Sequence, residues 1–194
     1  MNLYELYECQ RLRLSIGVPL EATLLLSVGE LNENKNHAVI LRAMLLLQEK
    51  NVHYVIAGEG VMHDRLLEMT RKYNIEDRVH LIGFCNDIPR LCKIADVCVF
   101  PSIREGLGMA AIEGMASGLP LIVSDNRGTR GFLKENMAFT CRYDDADGFA
   151  KAIKYFVKNE DVRISMGKVN AEVVRRFDIG TVNKIMYKAY SSLR

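Results

Sequence analysis

The chain has 194 residues, 49% hydrophobic and 26% charged, with a formal net charge of +2. That length suffices for one domain with a substantial core, and the near-neutral balance gives no electrostatic case for nucleic acid. The longest apolar runs, such as 43–47, are too short to span a bilayer, and residues 1–10 carry Glu5 and Glu8 without the apolar stretch of a secretory signal. Five cysteines (Cys9, Cys85, Cys92, Cys98 and Cys141) make an odd number with no CxxC spacing, so reduced thiols and a cytoplasmic setting are expected, with no metal site.

From the start, residues 1–16 read as an amphipathic helix with Leu3, Leu6 and Tyr7 on one face and Leu14 further on, joined to the rest through Gly17-Val-Pro19. Alternation of strand and helix then begins. Thr23–Val28 is an apolar run ending at Gly29, as a buried parallel strand requires. A helix is predicted from Asn34–Asn36 to about Lys50, with Val39, Ile40, Ala43, Leu46 and Leu47 at helical spacing. Strand Val52–Ala57 stops at Gly58-Glu-Gly60, and a helix follows over 62–73. Strand 79–82 leads to a short helix over 88–94 that Asn86 or Asp87 caps. Strand 97–100 is followed by a helix over 109–117, which Gly118-Leu-Pro120 ends, and by strand 121–124. A weaker strand is placed at 138–140, and helices at about 146–158, 162–177 and 181–193.

Repeated strand–helix units predict an α/β fold, a doubly wound parallel sheet of Rossmann-like type. Such sheets bind ligands beyond the carboxyl ends of their strands, and Gly29, Gly58, Gly60, Gly83, Gly106 and Gly108 all follow strands on that rim. The segment 101–120 is the most informative. A buried strand passes through a glycine-containing turn into a helix of small residues, where backbone N–H groups can hold phosphate. Glu105 and Glu113 bracket that turn with seven residues between them, and carboxylates there can accept hydrogen bonds from sugar hydroxyls. The competing account is an acidic residue that complements the helix dipole plus a solvated helix glutamate; the small, apolar neighbours of Glu113 weigh against simple solvation. Lys35 stands where the first rim loop becomes a helix, within reach of a phosphate. His53 and His80 fall in or beside strands and read as structural, and His37 as non-catalytic. Arg104, Arg127 and Arg130 lie in rim loops, and one of them could meet a diphosphate. The third glycine of a dinucleotide fingerprint is missing, and no P-loop, GxSxG or HExxH occurs.

These residues resemble the donor-binding, C-terminal half of retaining glycosyltransferases of the GT-B fold, family four (group 1). The landmarks are Ser27-Val-Gly-Glu-Leu31 with Lys35, Val55-Ile-Ala-Gly-Glu-Gly60, Val79-His-Leu-Ile-Gly-Phe84, Ala95 to Ser102, and the Glu-x7-Glu segment from Glu105 to Pro120. The resemblance implies that Glu105 contacts the donor sugar and Glu113 the ribose, with backbone around Gly106, Leu107 and Gly108 near the sugar and diphosphate. It gives Lys35 the neutralisation of the diphosphate, Gly29 and Glu30 a place in the donor loop, and Phe84 a place in the base pocket. It implies no cofactor beyond the nucleotide-sugar substrate, UDP-sugar favoured and GDP-sugar as the alternative. One position departs from the pattern: Glu30 stands where an arginine is usual, and Arg104, Arg127 or Arg130 are the candidate replacements.

The resemblance covers one of the two domains of such enzymes. Residues 1–18 are expected to be an N-terminal helix at an interdomain boundary and 19–194 the nucleotide-sugar-binding domain. The acceptor domain would contribute a glycan or lipid-linked acceptor and any peripheral contact with the inner face of the membrane. The expected function is the donor-binding part of an enzyme of surface polysaccharide or glycoconjugate synthesis, inactive by itself. The alternative is a free-standing nucleotide-binding subunit with a separate acceptor-domain partner.

Overall fold

Runs such as Thr23–Val28 and Val52–Ala57 are apolar at nearly every position because both faces of the sheet they form are covered. The computed structural model describes residues 3–134 and 136–191. Its strands are β1 (Thr23–Val28), β2 (Val52–Ala57), β3 (Val79–Gly83), β4 (Val97–Phe100), β5 (Leu121–Ser124) and β6 (Ala138–Cys141). Its helices are α1 (Leu3–Ser15), α2 (His37–Leu46), α3 (His63–Tyr73), α4 (Ile88–Ile94), α5 (Met109–Ala116), α6 (Arg127–Arg130), α7 (Ala146–Lys158), α8 (Glu160–Val173) and α9 (Ile179–Ser191). The strands run parallel in the order β3-β2-β1-β4-β5-β6, so winding reverses between β1 and β4. This is the doubly wound Rossmann-like sheet that the strand–helix alternation predicts.

Side-chain alternation divides the interior. Leu25, Tyr54 and Ile56 face a core built with Val39, Ile40 and Met44 of α2, Leu66 of α3, and Phe149, Ile153 and Phe156 of α7. Leu24, Leu26 and Val55 face a second core with Leu91 of α4, Ala111 and Met115 of α5, and Phe132 after α6. Close approach matters in the rim as well. Gly58 has φ +155, and a Cβ there would lie 1.9 Å from the Gly29 carbonyl oxygen, so the turns after β1 and β2 touch through bare backbone.

Several boundaries differ from expectation. Helix α2 begins at His37, because Asn34 and Asn36 spend their side chains on carbonyls of other loops, and it ends at Leu46. The helix expected over 162–177 starts at Glu160 and gives way at Val174 to a 3₁₀ turn. Helix α6 was not foreseen. It is a single turn held by a capping box between Asn126 and Thr129. Asp87, one of the two predicted caps, accepts the Arg90 N–H at 3.1 Å. In α1, Leu6, Tyr7 and Leu14 are exposed, and the helix packs instead through Cys9, Leu12 and Ile16. Arg13 decides this orientation: it donates to the carbonyls of Ile94, Leu20 and Ala22 and meets Asp96 at 2.5 Å. The predicted helical residues Met1, Asn2, Ser192 and Leu193 lie outside the described residues.

The structural reading of two histidines holds. His53 and His80 stack on neighbouring strands with ring centres 5.3 Å apart and a 3.0 Å contact between Nδ1 and Nε2. Burial holds both rings below the ordinary histidine pKa, and Arg78 and Arg13 reinforce the effect at His53 while Asp77 and Glu21 oppose it. His37 is pushed down to about 4, again chiefly by burial. Each folded-state pKa lies below the unfolded value, so the unfolded chain binds more protons as pH falls. Stability should be flat above about pH 6.5 and decline below it, with the His37 contribution lost down to about pH 4. Urea unfolding midpoints across that range check this, and His53→Gln should flatten the slope. A midpoint unchanged between pH 7 and pH 5 would show that the rings are not held neutral by the fold.

Candidate functional site

The reversal between β1 and β4 opens a crevice beyond their carboxyl ends. Two loops meet there, one over 29–36 after β1 and one over 101–108 after β4. Asparagines brace them together. Asn34 Nδ2 donates to the Arg104 carbonyl at 2.9 Å, its Oδ1 accepts the Arg104 N–H at 3.1 Å, and its own carbonyl accepts the Ile103 N–H at 2.8 Å. Asn36 Nδ2 donates to the carbonyls of Pro101 at 3.2 Å and Tyr143 at 2.7 Å. Asn36 has φ 55°, a left-handed conformation that asparagine tolerates better than most residues.

This bracing brings Lys35 Nζ within 2.7 Å of Glu105 Oε1, with side chains 23% and 16% exposed. The Lys35 stem lies across Gly29, where a Cβ would come 3.1 Å from the lysine Cε. Its ammonium is 5.5 Å from the centre of the Phe100 ring, within cation–π range. Behind Glu105 sits α6: a Cβ on Gly128 would fall 2.8 Å from the Glu105 Cβ, so only glycine permits this packing. The base of α6 is tied to β4 and β5, since Asn126 Nδ2 donates to the Ser102 carbonyl at 2.9 Å and the Ser124 hydroxyl donates to the same oxygen.

On the far side of the turn, Gly108 adopts φ 72° and ψ 50° and leads into α5 without a side-chain cap. The N-terminal amides of α5 therefore carry the positive end of the helix dipole at the rim. Nothing lies within 4 Å of a Cβ placed on Gly106, and Leu107 and Met109 are half exposed. Glu113 is on the exposed side of α5 and forms no ion pair among the described residues, although that helix is otherwise buried through Ala111, Ile112, Gly114 and Met115. Burial raises the thiol pKa of Cys92 and Cys98, and the Glu113 charge adds to both. Phe84 stands exposed beyond β3. Glu30 is exposed, and its carboxylate accepts a bond from Asn32 Nδ2 at 2.8 Å.

Residues 10–173 match the sequence profile described as Glycosyl transferases group 1. The chain belongs to that family. A relative named "Putative glycosyltransferase EpsD" from Bacillus subtilis (strain 168) is 35% identical over 192 residues, 96% of this chain and 50% of the relative. The UDP-Gal:alpha-D-GlcNAc-diphosphoundecaprenol alpha-1,3-galactosyltransferase of Escherichia coli is 29% identical over 170 residues, 84% of this chain and 44% of the enzyme. Among solved structures, Anabaena Alr3699/HepE in complex with UDP superimposes with a TM-score of 0.91 at 20% identity, covering 99% of this chain and 54% of the other. The group 1 glycosyl transferase chain thus spans about half the length of the curated relatives it matches, and its sheet is a Rossmann-like unit of the GT-B architecture.

Within this glycosyl transferase unit the structure joins Lys35, Gly29 and Glu105 directly, while Glu113 stands exposed on α5. It also narrows the arginine candidates. Arg130 is paired with Asp125 through two bonds of 2.6 and 2.7 Å, whereas Arg104 is exposed on its rim loop and Arg127, expected in a loop, is exposed at the start of α6. As parts of the site, Phe100 and Gly128 escaped the sequence reading, and Asn34 and Asn36 entered it only as the expected start of a helix. Urea unfolding of Lys35→Met, Glu105→Gln and the double variant measures the central contact. The two losses should overlap, with a coupling of about 1–2 kcal/mol; simple additivity would mean the ion pair is not formed in solution.

Proposed function

We propose that this chain binds the nucleotide-sugar donor of a retaining glycosyltransferase and supplies the groups that stabilise the departing nucleoside diphosphate. The observation that carries the reading is the Lys35–Glu105 pair at the open strand ends beside the uncapped start of α5. An ammonium has three donors, and one goes to Glu105, leaving two for phosphate oxygens. The amides at the start of α5 add positive potential on the same rim. As the bond from sugar to diphosphate breaks, negative charge grows on the leaving oxygen, and fixed donors of this kind lower that barrier.

In this scheme Glu105 orients the sugar, Glu113 holds the ribose hydroxyls, the backbone at Gly106, Leu107 and Gly108 borders the sugar and diphosphate, and Phe84 lines the base pocket. Gly29 leaves room for the lysine stem, and Glu30 belongs to the same loop. No protein nucleophile is assigned: the acceptor oxygen attacks the anomeric carbon on the face that the diphosphate leaves, and the hydroxyl proton passes to the leaving group. A UDP-sugar is the favoured donor, supported by UDP in the names of the E. coli relative and the Anabaena complex. The diphosphoundecaprenol in the former supports a lipid-linked acceptor. That acceptor would be held by a second domain, which would also make any contact with the cytoplasmic membrane face. Among the described residues no helix is long and apolar enough to cross a membrane.

Calorimetric titration with UDP, GDP and NADH tests the proposal. UDP should bind, and Lys35→Ala should weaken it about tenfold or more, the worth of a charge-assisted hydrogen bond. The chain alone should transfer no sugar. Binding of NADH without UDP or GDP, or sustained transfer by the purified chain, would contradict the proposal.

A further inference from the structure

Lys35 is only as well placed as the start of α2, and a buried line of polar groups fixes that start. The Ser27 hydroxyl on β1 donates to the Val99 carbonyl on β4 at 2.5 Å. The Tyr54 hydroxyl on β2 donates to Ser27 Oγ at 2.8 Å, and His37 Nδ1 lies 3.0 Å from the Tyr54 oxygen. A carbonyl only accepts, so the serine proton goes to Val99 and the tyrosine proton to Ser27. His37 therefore donates from Nδ1, and its tautomer is set by this chain of bonds. Ser27, Tyr54 and His37 are all at most 3% exposed. The line crosses β4, β1 and β2 directly beneath the crevice and ends two residues after Lys35.

Packing alone does not call for these side chains. Their neighbours in the same core are Leu25, Val39, Ile40 and Ile56, and burying two hydroxyls and an imidazole among them costs desolvation that only mutual hydrogen bonding offsets. What the polar line adds is register: if α2 slides or rotates against the sheet, the Tyr54 oxygen loses its donor in a place water does not reach. Burial keeps the ring neutral, and the Lys35 charge acts in the same direction; the Glu30 carbonyl opposes them, but no atom completes a hydrogen bond to Nε2 among the described residues. A neutral ring adds no positive charge beside the lysine it supports.

We propose that His37 is a positioning residue for Lys35: through its Nδ1–H bond to Tyr54 it locks the first turn of α2 to the central strands and so fixes the lysine ammonium over the strand ends. The positional part stands on the fold alone, and its consequence for donor binding rests on the function proposed above. Two readouts keep them apart. The first is the acetylation rate of each lysine in the unliganded chain, resolved by mass spectrometry, and the second is UDP affinity.

In His37→Leu, Lys35 should be acetylated about fivefold faster, with Lys93 and Lys168 unchanged, and UDP affinity should fall by a similar factor. His37→Asn, whose amide can replace the Nδ1 donor, should restore both. Tyr54→Phe, which removes only a hydroxyl, should reproduce the His37→Leu effect and carries the test if that variant fails to fold. Unchanged Lys35 reactivity in folded His37→Leu or Tyr54→Phe would overturn the positional role, as would His37→Asn behaving like His37→Leu. If Lys35 reactivity responds as expected while no form binds UDP, the positioning stands and the donor reading falls.

Discussion

A cation and a carboxylate from loops 70 residues apart are held at 2.7 Å over the open end of a parallel sheet, and the rim is built around that contact. Lys35 sits near the positive end of α5, where an isolated ammonium would be repelled. Glu105 balances that field in the unliganded chain and keeps the lysine in place without filling its remaining donor positions. In the proposed function a diphosphate, which brings more negative charge than one carboxylate, takes up the donor positions that Glu105 leaves. The strand order makes this geometry available: at the reversal between the central strands β1 and β4 the following helices, α2 and α5, pack on opposite faces and leave the two loops room at the strand ends.

Precision at such a rim has to come from elements that cannot drift. The loops are braced by asparagine side chains that bond to carbonyls across the crevice, so backbone that would otherwise lack partners is satisfied by the neighbouring loop. Bare backbone packs where side chains would not fit, at Gly58 against Gly29 and at Gly128 against Glu105. Below them the polar line through Ser27, Tyr54 and His37 joins three strands to α2. The site thus has a hydrogen-bonded floor and an open top at Gly106.

Much of the fold was legible because both periodicities were clean. Apolar runs closed by glycine gave the strands, and helical spacing gave α2, α3 and α7 to within a few residues. The candidate site was half legible. Lys35 and Glu105 could be named because both follow strands on one rim, but their contact depends on Asn34 and Asn36, whose long-range bonds leave no local pattern. Glu113 was expected to be sheltered by its small neighbours; it instead emerges on the exposed face because position 113 falls opposite the buried Ala111 and Met115 stripe. In α1 the apolar residues suggested one face and Arg13 selected another, since its bonds to Ile94, Leu20, Ala22 and Asp96 outweigh partial burial of Leu6 or Leu14.

The claim on which the rest depends is that an anionic nucleotide settles in the crevice between β1 and β4. Amide chemical-shift mapping by nuclear magnetic resonance during a UDP titration tests it most directly. The account predicts saturable shifts concentrated in residues 29–37 and 105–113 with a smaller group near Phe84. Shifts confined to the β6 edge and α7, or none at saturating UDP, would contradict it.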